Sequence, residues 1–177
     1  GADASNRAGL RKVGEKTWDL GGKSLKCATL EATVTNNDTR VASKLEYCDS
    51  VPPFVLRRET VTTNPDGKQV LEQTTVEAIA IEMPQKVLTE LKSGAHIRTV
   101  QKQKNGFTFT LEVVCLDVPG GVVSHTSKDS DAAGKLVRRS TLELLDYGVA
   151  GPAETAPRSG GIFRHSRVRR AAVQTRP

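Results

Sequence analysis

A cysteine nucleophile beside a histidine base is the sharpest chemistry this sequence offers. Cys115 and His96 could be brought together by the hairpin that separates them. The surroundings argue otherwise. Cys115 alternates with Phe107, Phe109, Leu111 and Val113, and an apolar face hides a thiol and weakens it as a nucleophile. No third group is placed to orient His96, so Cys115 reads as a buried core thiol. Three Cys and three His show neither CxxC nor HxxxH spacing, so no metal is expected. Glu59, Glu72, Glu77, Glu112 and Glu143 sit among Thr, Lys and Arg, as on a solvated sheet face, and nothing favours a glycosidase pair. The glycine pairs Gly21-Gly22 and Gly120-Gly121 serve hairpins, since neither precedes a helix as a phosphate loop does. The sequence therefore reads as a non-enzyme without a cofactor.

Cys27 and Cys48 pose a different question. A turn over residues 36–39 sets a register in which they stand opposite each other, on an outer face with Lys44 and Glu46. Opposed strand residues have Cβ atoms ~4.5–5.5 Å apart, close to what a disulfide needs. Two readings stay open: a bridge in an oxidising compartment, or two unpaired thiols.

These residues are positioned by a stretch that occurs twice. Cys48-Asp49-Ser50-Val51-Pro52-Pro53-Phe54 is answered, 67 residues on and without a gap, by Cys115-Leu116-Asp117-Val118-Pro119-Gly120-Gly121. Asp66-Gly67-Lys68 falls on Ala133-Gly134-Lys135, and Gly94 stands where the first copy has Cys27. Period-two alternation predicts strands over 13–20, 25–34, 41–47, 54–62 and 69–81, then over 97–101, 107–116, 121–126 and 136–147. In the first copy Ala28, Leu30, Ala32, Val34, Val41, Leu45 and Tyr47 are expected to face inward. Cys115 lies on an apolar face while Cys48 shares one with charges, which calls for a β-bulge in one copy near its Val-Pro corner. Pro84 in a first turn, the stripe Val87, Leu88 and Leu91, and Gly94 beyond it predict a helix over 84–92.

The expected fold is mainly β: two tandem four-stranded antiparallel meanders in one curved sheet or open barrel, with that short helix between them. The expected organisation is a flexible start over 1–12, one β domain over 13–148 with repeats at about 13–81 and 95–147, and a disordered basic tail over 149–177. From residue 151 onward six arginines face one acid, Glu154, so five of the six net positive charges lie in the tail and the body is close to neutral. Nucleic-acid binding is thus not expected of the body. For Arg167-Val168-Arg169-Arg170 an anionic-partner arm and a dibasic processing site compete with a solvated end, which is favoured because Phe163 is the tail's one aromatic.

The run Leu20-Gly21-Gly22-Lys23-Ser24-Leu25-Lys26-Cys27, with Asp117-Val118-Pro119-Gly120-Gly121-Val122-Val123 and the Gly-Lys-x-Val turn after it, resembles small exported bacterial β-repeat proteins of unknown function. The resemblance implies a sheet curled like the half-barrels of periplasmic lipoprotein carriers (LolA-like) or of lipocalins, and a secreted or periplasmic location. It covers most of 18–147 and carries no binding residue over. The first copy departs from Val-Pro-Gly-Gly with Pro53-Phe54, which puts an aromatic at a rim. The leading expectation is an exported binder holding a hydrophobic or lipid-like ligand in the concave face, lined by Phe54, Phe107, Phe109, Leu111 and Val113. The alternative is a structural or protein-interaction module with a filled interior. An edge strand that pairs two copies is a further expectation.

Overall fold

The computed structural model describes residues 9–147. The expected tail, and most of the expected loose start, lie outside the described residues. Among the described residues nine strands follow one another as a single antiparallel meander: β1 Arg11–Leu20, β2 Lys23–Thr35, β3 Arg40–Tyr47, β4 Val55–Thr63, β5 Val70–Val87, β6 Glu90–Gln103, β7 Gly106–Val114, β8 Val122–Asp131 and β9 Leu136–Glu143. The sheet is not closed, and its two outer strands are β1 and β9.

The expected helix over 84–92 is absent. Those residues form the β5–β6 hairpin, with Val87 opposite Glu90 and a two-residue turn at Leu88-Thr89. The repeat explains why: 67 residues earlier stand Gly21-Gly22, the turn of the β1–β2 hairpin. Leu88 takes φ 54°, close to the 61° of Gly21, so a primed turn forms without glycine. The stripe that suggested a helix does not share a surface, because Val87 is buried while Leu88 and Leu91 are exposed. Pro84 is tolerated because the second half of β5 pairs with β6 alone and leaves its other edge open.

Nor are there two four-stranded meanders. Each repeat spans five strands, and the 18-residue β5 belongs to both. Its first half pairs with β4 and closes the first unit. Its second half occupies the place of β1 in the second unit, beside β6. The corners repeat to the level of single hydrogen bonds. The Cys48 N–H donates to the Phe54 carbonyl at 2.6 Å, and the Cys115 N–H to the Gly121 carbonyl at 2.7 Å. Phe54 and Gly121 share a positive φ, 67° and 75°. The expected bulge occurs in both copies rather than one, at Glu46/Tyr47 and at Val113/Val114.

The first unit curls until β1 meets β5. Lys23 forms an ion pair with Glu82, and a Cβ on Gly21 would lie 3.3 Å from Ile81 Cγ1. The main core gathers Leu25, Cys27, Cys48, Val51 and Leu56 with Ala78, Ile81, Ala95 and Ile97, so β5 and β6 complete the first unit's core. A smaller core joins Val87, Cys115 and Val118, backed by Val123, Leu144 and Tyr147.

Burial therefore follows position along the strands more than side-chain parity. The corner ends are covered and the hairpin tips are open. The residues expected to face inward are at best half-buried, and Tyr47 is exposed. Cys27 and Cys48, expected on an outer face, are 1% and 0% exposed because the corner over 51–56 folds across them.

Candidate functional site

Phe107, Phe109, Leu111 and Val113 project from one face of β7, as alternation requires. Pairing register sets their neighbours. Lys102 stands opposite Phe107, Val100 opposite Phe109 and Arg98 opposite Leu111 on β6, and Lys128 stands opposite Phe109 on β8. The result is an apolar stripe with cations on both sides. Phe107 is 41% and Leu111 37% exposed, so no second layer covers the stripe among the described residues. Arg98 is engaged by Glu77 at 2.5 Å. Lys102 and Lys128 form no ion pair among the described residues. On the same face the first unit instead carries charged rows, in which Arg57 pairs with Glu59.

Phe54 is not on β7. It is exposed at the corner before β4, next to Pro53, which shares a cleft with Val114 at the end of β7. Two open clefts flank the site. One, of about 260 Å³, is touched by Phe107, Asp129 and Val137 at the hairpin end of the sheet. The other, of about 190 Å³, lies between Pro52, Pro53, Ala95, Val114 and Leu116 at the corner end. Both are below the ~300–1,000 Å³ usual for small-molecule pockets.

Cys27 and Cys48 do face each other, in the register that sets Ala28 opposite Tyr47 and Thr29 opposite Glu46. All three cysteines are free thiols. Burial pushes Cys27 up to about 12, with Cys48 and Glu46 adding to the effect. Burial would raise Cys48 too, but hydrogen bonds from the Ser50 side chain and backbone, from Cys27 and from the Val51 backbone outweigh it and hold that thiol below its ordinary value. Both thiols are buried, so a thiol reagent on the native protein at neutral pH is expected to react slowly with either; within that slow reaction Cys48 is expected to be modified before Cys27, and Ser50→Ala to slow the modification of Cys48. Peptide mapping by mass spectrometry reads both.

No hydrogen bond joins Cys115 to His96. His96 lies opposite Val113, and its Nε2 is buried with no partner among the described residues. His125 Nδ1 meets Glu112 Oε1 at 2.8 Å, a cross-strand pair with no cysteine nucleophile beside it. Glu46 is buried and accepts a 2.8 Å hydrogen bond from Thr29. Period-two patterning assigns this pair to the solvated face, although the register that aligns the cysteines also aligns these two. Among the described residues no three of His, Cys, Asp and Glu converge as metal ligands would.

No protein-family model matches the chain, and no curated protein or solved structure matches it.

Proposed function

We propose that the protein is a non-enzymatic, exported binder of a lipid-like amphiphile, held along the apolar stripe of β7 rather than in an enclosed cavity. The observation that carries this is the run Phe107, Phe109, Leu111 and Val113, with Phe107 and Leu111 exposed and the others half-buried, beside Lys102 and Lys128, which form no ion pair among the described residues. An acyl chain laid along β7 buries apolar area worth about 25 cal/mol per Å². A carboxylate or phosphate head meets Lys102 or Lys128. Phe54 has a separate role in this reading, as the residue that fixes the first corner.

One observation favours a second reading, a protein-interaction module: the clefts at the two ends of the stripe are open and small. A titration with a long-chain fatty acid separates the two. The wild type is expected to bind saturably, and Phe109→Asp to bind at least about tenfold more weakly, since the loss of one buried aromatic contact exceeds about 1.4 kcal/mol. Absence of wild-type binding would leave the interaction module as the better reading.

A further inference from the structure

The two edges of the sheet are built differently. β1 carries Lys12 and Lys16 and a bulge between Lys12 and Gly14, devices that blunt an edge against pairing. β9 is a regular strand up to a shift at its very start, without lysine, proline or glycine, and it exposes Leu136, Val137 and Leu142. Its outer side has no strand partner among the described residues.

We propose that β9 pairs antiparallel with the β9 of a second copy of this chain, forming a symmetric dimer whose sheet is continuous across the interface. The pairing argument uses no ligand, although Arg139 stands opposite Lys128 and so borders the proposed ligand face.

The strand is self-complementary in one register. A two-fold axis normal to the sheet keeps each residue on its own face, so a residue can oppose only one an even number of positions away. Centring the pair on Arg139 sets two guanidinium groups opposite each other, which is destabilising. Centring it on Ser140 sets Arg139 against Thr141 and leaves the charges unmatched. Centring it on Thr141 places Arg139 opposite the partner's Glu143, twice, with Ser140 opposite the partner's Leu142. Arg139 and Glu143 are both exposed and form no ion pair among the described residues, whereas the neighbouring Arg138 is engaged by Asp129 at 2.8 Å. The charges left over on this edge are thus the two that a second copy would satisfy.

Sedimentation velocity on the full chain tests this. The wild type is expected to show a monomer–dimer equilibrium. Arg139→Glu and Glu143→Arg are each expected to weaken the dimer by at least about tenfold, because each sets like charges opposite. The double reversal R139E/E143R is expected to restore it. Both side chains are exposed, so an unchanged circular-dichroism spectrum confirms that each variant folds. A wild type that stays monomeric at high concentration would overturn the proposal. So would single reversals that leave a dimer intact, or a double reversal that stays monomeric.

Discussion

Gly106→Ala is expected to destabilise the protein by about 3 kcal/mol or more, the combined scale of backbone strain and overpacking. Gly106 follows the β6–β7 turn with φ 151°, a conformation that L side chains rarely adopt. A Cβ there would lie 2.0 Å from the Ser130 carbonyl oxygen and 3.1 Å from Asp131 Cα. Both atoms belong to the backbone of β8, so no side-chain rotation can relieve the contact, and β7 must move away from β8 where the two strands start to pair. Gly14→Ala is the control. Nothing lies within 4 Å of its Cβ position and its φ is ordinary. That substitution is expected to stay within about 0.5 kcal/mol of wild type. Urea unfolding of the three proteins measures the difference.

Leu56→Ala is expected to cost about 2–5 kcal/mol, the range for a buried leucine whose cavity relaxes only in part. Leu56 is 0% exposed in the main core, between the first corner and the residues that β5 and β6 supply. Its counterpart 67 residues on, Val123, only flanks the smaller core. Val123→Ala is therefore expected to cost clearly less, on both volume and burial. Equal costs would contradict the view that the first unit's core is completed by the second unit while the second unit's core is not. Denaturant midpoints at constant slope provide the comparison.

The strands were largely legible because alternation and turn residues mark them locally. The 67-residue offset survives in hydrogen bonds, in the positive φ at Phe54 and Gly121, and in bulges at equivalent positions. The 84–92 segment misled because proline, an apolar triplet and glycine imitate a helix, while the pairing that makes it a hairpin comes from β6. Its correct reading was available in the offset itself, which sets Leu88-Thr89 on Gly21-Gly22. The same offset, carried further, would have shown that β5 serves two units.

Burial was the harder matter. Alternation names two faces, but it cannot say that covering changes along a strand. Thus the register that set Cys27 against Cys48 was right while their outer placement was not, because the corner over 51–56 covers that end of the face. Glu46 shows the same effect: a carboxylate that sequence patterning assigns to solvent is buried and satisfied by Thr29. Of the five residues expected to line a ligand site, four share β7 because alternation alone puts them there. Phe54 lies off that strand, at the first corner, and alternation along β7 says nothing of where a corner residue sits.

The most direct measurement of the binding proposal is native mass spectrometry of the full chain mixed with a long-chain fatty acid, with wild type and Phe109→Asp side by side. The proposal predicts a wild-type population heavier by the mass of the acid, which disappears on denaturation, and a Phe109→Asp spectrum close to bare. A bare wild-type spectrum, or equal loading of both proteins, would contradict it.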